Sequence, residues 1–146
     1  MAENEATGSR VATPFYLALL AEALALAGKI EEGLAALDDA LAKAAVSGVR
    51  GWDAEIHRLR GELTGRLPHP DPAKAEDSFR TALAVAREQG TRGYELRAAT
   101  SLARLWRDQG QRTEARDLLA PLYASFTEGF ATPDLKEAKA LLEELR

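Results

Sequence analysis

Apolar residues recur at three- and four-residue intervals along almost the whole chain, and no stretch alternates with period two. The first pattern gives a helix one apolar face and the second would give a strand, so the chain reads as helix throughout. Leu17, Leu20, Ala21 and Leu24 form one such face. Ile56, Leu59 and Leu63 form a second, and Ala99, Leu102, Ala103 and Trp106 a third. Punctuation cuts the pattern into seven predicted helices, over about residues 14–27, 30–46, 52–64, 72–89, 94–109, 112–126 and 133–145. Gly28, Gly48, Gly90, Gly110 and Gly129 supply the stops, because glycine enters the left-handed conformation that ends a helix at little steric cost. Thr13-Pro14, Asp71-Pro72 and Thr132-Pro133 supply starts, each a capping side chain followed by a proline that has no N–H to leave unpaired. Residues 1–12, small and polar, are expected to form a flexible lead.

The second helix of each pair repeats a small residue four before a bulky one. The copies are Gly33 with Leu37 and Ala40, Ala75 with Phe79 and Ala82, and Ala115 with Leu119 and Leu122. Gly33, Ala75 and Ala115 lie 42 and 40 residues apart. A period in this range marks a stack of helix pairs, each burying its apolar face against its neighbours. Small against large at fixed offsets is also how antiparallel helices interlock at close spacing. The expected fold is all-α: three helix pairs, over 13–48, 51–90 and 91–128, and a capping helix over 132–146, wound as a right-handed solenoid.

At these residues the chain resembles a tetratricopeptide repeat array, whose pattern is W-x2-L-G-x2-Y in the first helix and A-x3-F in the second. Ala75 and Phe79 match the second-helix pattern literally. The first-helix positions read Leu17, Leu20, Ala21 and Leu24, then Ile56, Leu59, Arg60 and Leu63, then Ala99, Leu102, Ala103 and Trp106, with Arg60 a departure at the small position. The strings from Leu96 to Trp106, Ala115 to Pro121 and Phe126 to Phe130 are similar to the C-terminal region of bacterial multidomain signalling proteins. Those proteins carry a class III adenylate or guanylate cyclase or a protein kinase domain, then an AAA-type ATPase, then tetratricopeptide repeats. The resemblance covers about residues 13–145 and none of the cyclase or ATPase residues. It implies a cytoplasmic protein–protein interaction or scaffold module at the regulatory end of such a protein. The alternative is a self-association module that forms a homodimer without reading a peptide.

Composition narrows the chemistry. The chain has 146 residues, 46% hydrophobic and 29% charged, enough for one domain. A net charge of −4 argues against non-specific nucleic-acid binding. The absence of cysteine removes disulfides and thiolate chemistry. The Leu/Ala run at 15–27 is too short to span a membrane. It also contains Glu22 and follows an acidic stretch, unlike a secretory leader. Only His57 and His69 are present, Gly28-Lys29 lacks the rest of a phosphate loop, and no nucleophile–base constellation emerges. No cofactor, metal or enzymatic activity is expected.

Two surfaces remain as candidates. In tetratricopeptide arrays the first helices line the concave groove, which the resemblance places on the side of the fifth helix carrying Arg97, Thr100, Ser101, Arg104 and Arg107, with His57 on the third helix. The three arginines span about 80° of arc. They read either as a solvated face, with Arg104 and Asp108 paired one turn apart, or as a groove for an acidic or phosphorylated peptide. Trp106 reads as core filler or as a stacking platform, and Trp52 as a plug at the mouth of the third helix. The other surface is on the first helix, where Phe15, Leu19 and Leu26 cluster roughly 150° from Leu17, Leu20 and Leu24. A helix apolar on two opposed faces expects cover on both, from a second copy or a neighbouring domain; the alternatives are that residues 1–12 fold back over the patch or that it lines the groove.

Overall fold

Alanine-rich segments separated by glycine and proline fold here into helices joined by short turns. The computed structural model describes residues 9–146, with side chains from Thr13 onward. Among the described residues seven helices follow one another: α1 (Ser9–Leu26), α2 (Ile30–Ser47), α3 (Asp53–Thr64), α4 (Pro72–Gln89), α5 (Arg92–Asp108), α6 (Arg112–Ala124) and α7 (Pro133–Glu144). No strand occurs among them.

The local signals act as their chemistry requires. Asp71 caps α4 by accepting from the N–H groups of Ala73 and Lys74 at 3.1 and 3.2 Å, with Pro72 at the first position. Gly48 ends α2 in the left-handed region, φ 79°, and returns its N–H to the carbonyl of Ala44. Thr132 precedes α7, but its hydroxyl donates back to the carbonyl of Gly129 and does not cap the helix.

One boundary is corrected. The lead expected over 1–12 lies partly outside the described residues, and from Ser9 the backbone is already helical. Pro14 therefore sits inside α1, buried, and not at its start. A proline this near the beginning forgoes only one hydrogen bond, so the helix can pass through it.

The helices pack as α1 on α2, α3 on α4 and α5 on α6, with α2–α3, α4–α5 and α6–α7 joining successive units. α1 also touches α3, α3 touches α5, and α5 touches α7, whereas α2, α4 and α6 make no close backbone contact with one another. The odd-numbered helices thus form one layer and the even-numbered ones line its other side. Two main core clusters result. One gathers Ala18, Ala21, Leu37, Ala40, Ile56, Leu59 and Leu63 from α1 to α3. The other gathers Leu83, Leu96, Ala103, Ala115, Leu119, Leu135 and Leu141 from α4 to α7. Ala75, Phe79 and Leu102 form a third cluster.

Close approach within the pairs depends on the small residues. A Cβ added to Gly33 would lie 3.1 Å from the carbonyl oxygen of Ala21 and 2.7 Å from Leu63 Cδ2. In α3 the small position is Gly61 and not Arg60: a Cβ there would lie 2.6 Å from the Phe79 ring. Arg60 instead faces outward and binds Asp38 of α2 at 2.8 Å. The core face of α1 shifts in the same sense. Ala18, Ala21 and Ala25 are buried, Leu17 and Leu24 are only half-buried, and Leu20 is 48% exposed. Alanine, not leucine, faces α2 because the two helix axes run close together.

Candidate functional site

The layer of odd-numbered helices encloses a groove of about 430 Å³. α1 contributes Glu22, Ala25 and Leu26, and α3 contributes Arg58, Leu59, Glu62 and Leu63, with Arg66 just beyond its end. From α5 come Arg97, Thr100, Ser101 and Arg104, and from α7 Pro133, Asp134 and Glu137. The α1–α3 side therefore mixes apolar and charged residues, and the α5–α7 side is mostly polar. Arg97, Thr100, Ser101 and Arg104 are brought together as lining residues. Arg107 and His57 are not among them. Arg107 turns toward Asp108 and Glu144 at 3.1 and 2.6 Å. His57 is half-buried beside Asp53, Arg60 and Arg50.

The groove's cations already have partners. Arg58 forks onto both carboxylate oxygens of Glu55 at 3.0 and 3.2 Å and reaches Ser101 Oγ at 3.4 Å. Ser101 in turn donates to Glu62 at 2.7 Å. Arg97 bridges Glu55 and Asp134 at 3.0 and 3.1 Å, and Arg104 binds Glu137 at 3.0 Å. Burial opposes the charge of Arg97, but Glu55 and Asp134 together outweigh it and raise its pKa. Arg104 pairs with α7 and not with Asp108 one turn along its own helix. An acidic ligand would have to displace these carboxylates. Arg66, exposed at the end of α3, has no ion-pair partner among the described residues.

Sequence reasoning located the α5 wall but not its complement on α3. The signal is present: moving back 42 residues carries Thr100 and Arg104 onto Arg58 and Glu62, and 40 more carries Glu62 onto Glu22. The acids of α7 carry no such periodic mark, because their role appears only once α7 lies beside α5.

Trp106 is core filler with a polar tip. It packs against the cluster of Ala75, Phe79 and Leu102, its Nε1–H donates to Glu76 at 2.9 Å, and the Arg80 guanidinium lies 5.3 Å from the ring centroid. Trp52 stacks on Phe15 with ring centroids 4.6 Å apart. Phe15 is half-buried by that contact, whereas Leu19 and Leu26 are 46% and 85% exposed. The three residues expected to form one patch are thus divided between a satisfied aromatic contact and an open face. Among the described residues no group of acidic, histidine or cysteine side chains could hold a metal, and no helix is long and apolar enough to cross a membrane.

No family model matches the chain. It is similar to a protein of Rhizobium meliloti (strain 1021) that is described only as uncharacterized, at 36% identity over 92 residues. The match spans 63% of this chain and 9% of the relative, which is a chain of multidomain size.

Proposed function

We propose that this chain is a protein–protein interaction module of the tetratricopeptide-like solenoid type, and that the groove between α1, α3, α5 and α7 receives an extended segment of a partner protein. The groove is the observation that carries the reading: a trough more polar than apolar, contributed by every helix of one layer. The neighbour-to-neighbour order of helix contacts supports the solenoid. Leu26, backed by the buried Ala25, Leu59 and Leu63, offers an apolar edge, while Arg66 and the exposed sides of Arg97 and Arg104 offer positions for acidic groups. Because the groove arginines are internally paired, recognition rests on apolar contact with acidic groups at the rim, and a high negative charge alone does not suffice. Binding, not catalysis, is the proposed role: Glu55, Glu62, Asp134 and Glu137 are held by arginines or by Ser101, a poor arrangement for a general base. The length of the bacterial relative fits a module within a larger protein, and a cytoplasmic signalling protein is the host we propose.

The test is parallel capture by immobilised wild type and an Arg66→Glu/Arg104→Glu variant. A partner retained by the wild type and lost by an equally stable variant is expected. Equal retention by both would remove the groove from the interaction.

A further inference from the structure

We infer that the segment received by the groove carries both signs of charge: a basic side chain that meets Glu22 and, about three or four residues away, an acidic side chain that meets Arg66. This rests on the groove reading above and names the chemistry of its occupant. Among the described residues, four arginines and four carboxylates line the groove. Six of these eight are held by partners on α3, α5 and α7. Glu22 and Arg66 are exposed and have no hydrogen-bond or ion-pair partner among the described residues.

The paired groups disfavour a segment of one sign. Arg58, Arg97 and Arg104 are bound to Glu55, Glu62, Asp134 and Glu137. Three positive charges against four negative leave this network with a formal charge of −1, so it does not draw in a run of acidic residues. Ser101, itself buried, donates to Glu62 at 2.7 Å and accepts from Arg58, which holds that pair in place. A run of basic residues fares no better, because it would meet Arg66 and the part-exposed guanidinium edges of Arg97 and Arg104. What the network leaves to a partner is one free acid and one free base.

The internal repeat sets the distance between them. Moving forward 40 residues, the interval from Ala21 to Gly61, carries Glu22 onto Glu62 and Leu26 onto Arg66. Gly65 keeps right-handed helical angles, so Arg66 continues the spiral of α3. Arg66 therefore stands one turn beyond Glu22, on the neighbouring helix of the layer. Four residues advance a helix by about 6 Å, and packed helix axes lie about 8–10 Å apart. The two charges are thus roughly 10–12 Å apart, a span that an extended chain covers in about three or four residues. Leu26, 85% exposed and level with Arg66, takes an apolar side chain beside the acid.

Short leucine-centred peptides, alike except at two charged positions with this spacing, are the probes: Lys with Glu in either order, Glu with Glu, and Lys with Lys. By fluorescence anisotropy on the full chain, the wild type should bind a mixed peptide at least about fivefold more tightly than either like-charged one. Added salt should narrow that preference. Glu22→Lys should transfer the preference to the Glu–Glu peptide, and Arg66→Glu to the Lys–Lys peptide. Glu22→Lys/Arg66→Glu should restore the preference for mixed charge. Both residues are exposed, so the thermal midpoints should stay at the wild-type value, which separates lost recognition from lost folding. Peptides that bind with a preference indifferent to these exchanges would overturn the charge assignment and leave the groove reading standing. Failure of every peptide to bind at up to about 1 mM would overturn both.

Discussion

Gly61 and Phe79 define each other's space. The Phe79 ring lies where a Cβ on Gly61 would be, so Gly61→Ala forces the ring or the α3 backbone to move. Overpacking of this kind costs about 1–3 kcal/mol, while replacing a helical glycine by alanine returns about 1 kcal/mol. Chemical denaturation should show net destabilisation, and a gain in stability would mean that the ring has room to yield. Phe79→Ala should cost about 3–5 kcal/mol, the range for a buried aromatic. His57 acts through its proton. Burial is the largest influence and lowers its pKa, with Asp53 opposing and Arg60 and Arg50 reinforcing the shift. Unfolded, His57 titrates near its ordinary 6.5 and binds a proton that the folded chain still refuses. Stability is therefore full above that value and declines as pH falls from it toward the folded pKa. His57→Gln should flatten the decline in unfolding free energy between about pH 7.5 and 5. An unchanged slope would assign the decline to other groups.

At the scale of helices, the contact between α4 and α5 is tuned by one hydrogen bond. Trp106 donates to Glu76, and this bond is the main reason that the Glu76 carboxyl titrates below its ordinary range, with Arg80 adding to the effect. Trp106→Phe keeps a ring in the core and removes the donor. The Glu76 pKa, followed by NMR, should rise toward its ordinary value, and no movement would show that Arg80 alone sustains the shift. Helix existence was legible from periodicity and punctuation because Gly48, Gly90 and the Asp71-Pro72 start act locally. Helix faces were less legible. Leucine spacing put Leu20 in the core and Arg60 at a close approach, but the closely spaced helices buried alanines and Gly61 instead. On an alanine-rich helix, hydrophobicity alone ranks the faces poorly. The distance to the partner helix decides which face is buried, and no sequence window contains that distance.

For the molecule as a whole, the contact order limits how far a perturbation can travel. Each helix touches only helices one or two places away, and the two larger cores share no helix pair. The α5 side of the groove could be read from the sequence because Arg97, Thr100, Ser101 and Arg104 share one helix face. The α7 side could not, since Asp134 and Glu137 gain their role by lying across from those arginines. These bridges are partly exposed, and each contributes about 0.2–1 kcal/mol. Salt should therefore loosen the α5–α7 seam more than it loosens the apolar contact of α1 with α2. Neighbour-limited packing makes a stronger prediction about stability. Leu37 is fully buried in the α1–α3 cluster and Leu119 in the α4–α7 cluster. Leu37→Ala should remove about 2–5 kcal/mol of local opening free energy from α1, α2 and α3, and Leu119→Ala the same from α5, α6 and α7. Native-state hydrogen exchange, read helix by helix, should show each loss fading away from the substituted unit. A uniform loss across all seven helices in both variants would instead mean that the chain opens as one cooperative block, and that the stacked-pair description fails as an account of its stability.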